Sequence, residues 1–153
     1  MYKGEYKLIL NEKKGNLFEL DDKYVLAHCI SEDCAMGAGI AVEFNKRYRG
    51  MKGYLLETIE QVPKEYPCTI LYPFGKQQVF NLITKKKYWN KPTYNSMEKC
   101  IQQMRDMCKS SNIKFLAMPK IGCGLDRLQW GKVREIIKEE FRDLDIEIEV
   151  RYL

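Results

Sequence analysis

The sequence predicts an α/β protein, a three-layer α/β/α sandwich with a central mixed β-sheet, and three observations point there. Short apolar runs of the kind that fill buried strands alternate along the chain with segments of helical spacing. Two of those runs, Cys68-Thr69-Ile70-Leu71-Tyr72 and Val79-Phe80-Asn81-Leu82-Ile83, flank the turn residues Pro73-Phe74-Gly75 and read as a hairpin. The chain has 153 residues, the length of one domain, and folding at that size removes roughly 70% of the unfolded chain's surface from water.

Taken in order, Tyr6-Lys7-Leu8-Ile9-Leu10 is expected as a first strand and Tyr24-Val25-Leu26-Ala27-His28-Cys29 as a buried one. Helical spacing follows from Ile40 to Tyr48 and again from Gly53 to Ile59, before the hairpin strands. Thr93 then offers a helix cap after Pro92. Tyr94, Met97, Cys100, Ile101, Met104 and Cys108 recur at steps of three and four, which places them on one helical face. Such a stripe of methionine and apolar residues is assigned to core. Phe115-Leu116-Ala117-Met118 is a further short strand, and Val133, Ile136, Ile137 and Phe141 share another helical face. The alternation in Ile146-Glu147-Ile148-Glu149-Val150-Arg151-Tyr152 is read as a final strand at or near a sheet edge. No repeat, low-complexity tract or linker interrupts this pattern, so residues 1–153 are read as a single domain.

Composition narrows the function classes. Hydrophobic residues make up 45% and charged residues 31%, values that belong to a globular chain rather than a disordered one. No apolar run reaches the ~18 residues of a membrane span, and Met1-Tyr2-Lys3-Gly4-Glu5 lacks the apolar stretch of a signal peptide. A cytoplasmic protein with no membrane partner is the expectation. The six cysteines, at 29, 34, 68, 100, 108 and 123, form no C-x-x-C pair, and His28 is the one histidine. A structural zinc site wants close paired spacings and a disulfide scaffold wants a short secreted chain. The cysteines are therefore read as reduced core thiols, with no metal and no cofactor expected. The net charge of +5 suits an anionic ligand without demanding one. Nothing in the sequence requires more than a monomer.

Three segments break the strand–helix rhythm. Asp33-Cys34-Ala35-Met36-Gly37-Ala38-Gly39-Ile40 lies directly after a buried strand and before a helix. Glycines there allow a phosphate to approach the backbone, and the helix start supplies free N–H groups. Pro119-Lys120-Ile121-Gly122-Cys123-Gly124-Leu125-Asp126 occupies the corresponding place after a later strand. Open α/β sheets bind ligands beyond the carboxyl ends of their strands, so two such loops can grip a diphosphate. Either loop alone is equally a tight turn. Neither carries the G-K-[ST] of a nucleotide triphosphatase loop or the G-x-G-x-x-G of a dinucleotide fold. The third segment, Asn81-Leu82-Ile83-Thr84-Lys85-Lys86-Lys87, carries a strand into a basic cluster. Like-charge neighbours favour a neutral lysine amine, which is a nucleophile; three solvated lysines are the plainer alternative. The continuation Tyr88-Trp89 makes this cluster the chain's one candidate for contact with nucleic acid.

Together these segments resemble the macrodomain family, and within it the branch of terminal ADP-ribose protein glycohydrolases and O-acetyl-ADP-ribose deacetylases. The residues that carry the resemblance are His28 to Cys34 with Met36 to Val42, Leu82 to Lys86 with Lys91 to Tyr94, and Ile121 to Trp130. The last string, I-G-C-G-L-D-R-L-Q-W, is far more specific than a glycine pair. The resemblance runs from about Leu8 to Leu153. It implies ADP-ribose as ligand, and ADP-ribosylated protein or nucleic acid as partner. It also implies a mechanism in which Lys85 attacks the distal ribose and Asp126 serves as base to resolve the lysyl–sugar intermediate. By the same resemblance the ligand contacts are Asn16, Leu17, Ser31, Gly37, Ala38, Gly39, Ile40, Lys120, Ile121, Gly122, Cys123, Gly124, Leu125 and Leu153. One departure stands out. The family carries an aspartate before the apolar residue of its G-D-[IL] segment, and this chain has Gly15-Asn16-Leu17. A neutral amide accepts a weaker hydrogen bond from a base than a carboxylate does. Two other activities stay open at this point: a reader that binds ADP-ribose without turnover, and a phosphatase acting on ADP-ribose 1″-phosphate.

Overall fold

The structure, a computed structural model, describes residues 8–62 and 65–153. Six strands form one sheet: β1 (Ile9–Lys14), β2 (Val25–Ser31), β3 (Cys68–Tyr72), β4 (Val79–Lys85), β5 (Phe115–Met118) and β6 (Glu147–Tyr152). Their order is β1-β6-β5-β2-β4-β3. Every neighbouring pair is parallel except β3 with β4, the predicted hairpin, so the sheet is mixed.

Helices α1 (Ile40–Arg47) and α2 (Met51–Gln61) cover one face, and α3 (Tyr94–Ser110) and α4 (Trp130–Phe141) cover the other. The two-residue period of the strands divides the core between them. Leu26, Val79, Ile83 and Ala117 pack with Phe44, Met51 and Leu55. Ala27, Phe80, Leu82, Leu116 and Met118 pack with Met97, Ile101, Met104, Val133, Ile137 and Phe141. Because helices shield both sides, the central strands are mostly apolar, with a few buried polar residues such as His28 and Asn81. At the start of α3 the expected Thr93 cap is present: its hydroxyl accepts from the Ser96 N–H at 2.9 Å, and Ser96 Oγ accepts from the Thr93 N–H at 3.0 Å.

One expectation is corrected. The first strand spans Ile9–Lys14 rather than Tyr6–Leu10, and Tyr6 and Lys7 lie outside the described residues. The final strand, β6, lies near the sheet edge as expected, one place in between β1 and β5. One of its alternating glutamates is satisfied locally. Glu149 is buried, accepting from Asn11 Nδ2 at 2.8 Å and from Arg151 Nη2 at 2.9 Å.

Among the described residues no helix is long and apolar enough to cross a membrane. Cys29, Cys34, Cys100, Cys108 and Cys123 are thiols. Burial pushes Cys34 and Cys123 up to about 11 and Cys100 and Cys108 up to about 12.

Candidate active site

The carboxyl ends of β2, β4 and β5 lie side by side in the sheet, and the three segments singled out in the sequence leave from them. At that end the ladder between β2 and β4 shifts register between Ile30 and Ser31, which sets Ser31 opposite Lys85. The pairing then continues past the strands, with Glu32 N–H donating to Lys85 O at 2.9 Å and Asp33 N–H to Lys86 O at 3.3 Å. Asp33 joins the two segments further. Its carboxylate accepts from the Ser31 hydroxyl, from Ala35 N–H at 3.3 Å and from Tyr88 N–H at 3.1 Å. Against the opposing effect of burial, these bonds and the Lys87 charge hold its carboxyl below the usual range.

Between the two glycine-containing loops lies a cleft of about 760 Å³, a size suited to a nucleotide-like ligand. Both loops hold left-handed residues: Cys34, Met36 and Gly39 in the first, Gly122 and Arg127 in the second. Such residues are costly for most side chains and gather where a loop must face a ligand. Gly39, with φ 62° and ψ −153°, has a backbone that in practice only glycine adopts, and it directly precedes α1. No side chain caps that helix start, and Ile40 and Ala41 line the cleft. Uncapped N–H groups with the positive end of a helix dipole favour an anion. Leu125, largely exposed, reaches across: a Cβ on Gly39 would lie 3.7 Å from its Cδ1.

The floor holds a paired amine and carboxylate. Lys85 Nζ lies 2.7 Å from Asp126 Oδ1, and the two side chains are 14% and 15% exposed. Lys86 Nζ sits 5.8 Å from the centre of the Tyr66 ring, and the Lys87 charge acts on Asp33. The contact available for proton transfer is the Asp126 carboxylate. Lys91 supports the turn that carries it, with Nζ donating to Leu125 O at 2.8 Å.

Of the sequence-predicted residues, Ser31, Gly37, Ala38, Gly39, Ile40, Lys85, Lys120, Ile121, Gly122, Gly124, Leu125 and Asp126 come together around the cleft. Asn16, Leu17, Cys123 and Leu153 do not line it. Asn16 Oδ1 instead accepts from Phe18 N–H at 2.9 Å and caps the short 3₁₀ turn Leu17–Glu19. Leu17 is buried in the core beneath α1, Cys123 Sγ donates to Ile121 O, and Leu153 stands exposed beyond β6. The lining also includes Cys29, Ile30, Ala35, Met36, Ala41, Tyr88, Lys91 and Pro119, which the residue-level prediction left out. Tyr88 carried a signal, an aromatic residue in a basic run leaving a strand; the others lie in the loops and strings singled out in the sequence without being named there as contacts. Among the described residues no group of three or more His, Cys, Asp or Glu is placed to hold a metal ion.

The Macro domain family model matches residues 27–137. The chain is a macrodomain. Its relatives include the human ADP-ribose glycohydrolase OARD1, 44% identical over 137 residues that cover 90% of this macrodomain and 87% of the relative. The DNA ADP-ribosyl glycohydrolase of Thermus aquaticus is 24% identical over 139 residues, 86% of this chain and 38% of that one. Among solved structures, the macrodomain of Thermus aquaticus DarG superposes with a TM-score of 0.85 at 21% identity, covering 95% of this chain and 99% of the other. Thermosipho africanus DarTG in complex with ADP-ribose gives 0.81 at 19% identity, over 94% of this chain and 41% of its own length. At those identities the structural likeness speaks to the fold.

Proposed function

We propose that this macrodomain is an ADP-ribosyl hydrolase in which Lys85 is the nucleophile and Asp126 its proton partner. Binding and hydrolysis of ADP-ribose are supported by the kinship with ADP-ribose glycohydrolases. The observation that carries the residue assignment is the 2.7 Å contact of Lys85 with Asp126 on the floor of a cleft walled by two glycine-containing loops.

In this reading the diphosphate lies between the two loops, against the start of α1, and the distal ribose lies over the floor. Asp126 takes a proton from Lys85, and the amine nitrogen bonds to the anomeric carbon as the bond from that carbon to the carrier breaks. The carrier leaves with the electron pair of the broken bond. Asp126 gives the proton it took to the departing carrier and, a carboxylate again, draws a proton from water, whose oxygen adds to the same carbon. The carbon–nitrogen bond breaks with its electron pair going to nitrogen, Asp126 returns the proton to the amine to restore Lys85, and free ADP-ribose departs. Acidic protein side chains, an O-acetyl group and nucleic-acid bases are all carriers whose linkage this chemistry can break.

Single-turnover release of ADP-ribose, measured beside equilibrium binding, tests the assignment. The parent should release ADP-ribose, and Lys85→Ala and Asp126→Ala should each lose more than about a hundredfold in rate, the scale of one proton-transfer group. At least one variant should still bind ADP-ribose. Tight binding without release by the parent would make the protein a reader. Release of phosphate from ADP-ribose 1″-phosphate alone would make it a phosphatase.

A further inference from the structure

Ser31 and Asp33 form a hydrogen-bonded pair that the proposed chemistry leaves unused. Ser31 ends β2, lines the cleft and is 4% exposed. The register shift after Ile30 sets it opposite Lys85, in the part of the floor where the reacting sugar is placed. A hydroxyl can donate one hydrogen bond and accept two, and its rotor turns to suit its neighbours. Here one neighbour fixes it. Asp33 Oδ1 is within hydrogen-bond reach of Ser31 Oγ, and an ionised carboxylate only accepts, so the Ser31 proton points at Asp33. Against the effect of burial, its hydrogen bonds hold the Asp33 carboxyl below the usual range, which keeps it ionised near neutral pH. Asp33 is anchored from two further sides. Oδ1 also accepts from Ala35 N–H at 3.3 Å, and Oδ2 accepts from Tyr88 N–H at 3.1 Å. A local turn would need only the Ala35 bond. The other two bonds fix the carboxylate between the cleft wall and the segment that follows Lys85, while Asp33 itself stands behind that wall.

We propose that Asp33 is a positioning residue that fixes the polarity of Ser31, leaving the Ser31 oxygen only lone pairs to offer the cleft. As a pure acceptor, Ser31 takes a hydrogen bond from a hydroxyl of the distal ribose and favours ligands that carry that sugar. The inference rests on the hydrolase reading for where the ribose lies. A hydroxyl free to turn would meet the sugar in the right sense only part of the time, and would lose rotational freedom on binding. One already oriented by a carboxylate avoids both losses.

The test is calorimetric titration of the whole protein with ADP and with ADP-ribose, which differ by the distal ribose. The readout is the ratio of the two affinities, because damage to the diphosphate grip weakens both ligands and cancels. Ser31→Ala and Asp33→Ala should each shift that ratio against ADP-ribose by about three- to tenfold, the scale of one neutral hydrogen bond. Asp33→Asn should keep most of the parent's ratio, since one amide oxygen can still accept from both Ser31 and Ala35. The double variant Ser31→Ala with Asp33→Ala should fall no further than either single one, because the two residues act through one contact. Equal losses of ADP and ADP-ribose binding in Asp33→Ala would overturn the proposal and leave Asp33 a support of its loop. So would single losses that multiply in the double variant, or a Ser31→Ala protein with the parent's ratio. If the parent binds ADP-ribose yet releases none from a modified carrier, the hydrolase reading fails by itself. The affinity ratios then still test the role of Asp33.

Discussion

His28 lies fully buried on β2, its ring stacked on Phe44 with centroids 3.9 Å apart and its Nε2 2.7 Å from Asn81 Oδ1. Nδ1 has no hydrogen-bond partner. A neutral ring that donates from Nε2 suits this place, and a second proton would put a charge where neither water nor a carboxylate meets it. Burial accordingly lowers His28 from 6.5 to about 4, with the Asn81 bond opposing in part. The folded value is depressed, so above about pH 6.5 both folded and unfolded rings are neutral and the group contributes nothing. As pH falls through that value the unfolded chain takes up a proton that the fold refuses, and stability drops until the folded ring titrates near pH 4. At about 1.4 kcal/mol for each pH unit, that window costs about 3 kcal/mol, a large part of an ordinary domain's stability. Glu12, Asp33 and Asp143, held below the usual carboxylate range by their hydrogen bonds, lose their contribution only at lower pH. Urea unfolding at a series of pH values between about 7 and about 5 reads the effect. His28→Gln keeps a donor toward Asn81 and cannot titrate. It should be less stable than the parent near neutrality, yet nearly flat across the window. A parallel decline in parent and variant would refute the reasoning.

Two glycines of the cleft should respond in opposite ways. At Gly122, φ is +74° and an added Cβ would meet Met97 Cε at 2.5 Å and Leu128 Cδ1 at 3.0 Å. Gly122→Ala should therefore cost about 2–4 kcal/mol from left-handed backbone and overpacking together, visible as a lowered urea midpoint, and should displace the turn that carries Asp126. At Gly37 no atom lies within 4 Å of the Cβ position. Gly37→Ala should leave stability within about 0.5 kcal/mol while weakening ADP-ribose binding by calorimetry; equal affinity would remove that loop from the diphosphate site. Single-turnover rates should be unchanged by EDTA, because the proposed chemistry uses an amine and a carboxylate alone. A loss restored by a divalent ion would contradict it.

Much of this macrodomain was legible before its structure, and for local reasons. Apolar runs at Leu26–Ala27, Phe80–Leu82 and Leu116–Met118 mark strands covered on both sides, because a buried strand has no polar face. The stripe from Met97 to Cys108 marks α3, and Thr93 its start, because helical period and capping are written within a few residues. The loops at Gly37–Gly39 and Gly122–Gly124 were equally visible. Their glycines answer backbone demands met on the spot: Gly39 and Gly122 both hold left-handed φ.

Tertiary structure decided the rest, since sequence order carries no sign of which strands become neighbours. Placing β6 next to the edge strand β1 lets Asn11 and Arg151 satisfy Glu149, a glutamate that looked solvent-bound. Placing the carboxyl ends of β4 and β5 on either side of β2 brought Lys85 against Asp126, forty-one residues apart in the chain. Asn16, expected at the ligand, caps the turn that follows it. Periodicity reports whether a side chain faces the core or the water; only strand order and register determine which distant side chain it faces there.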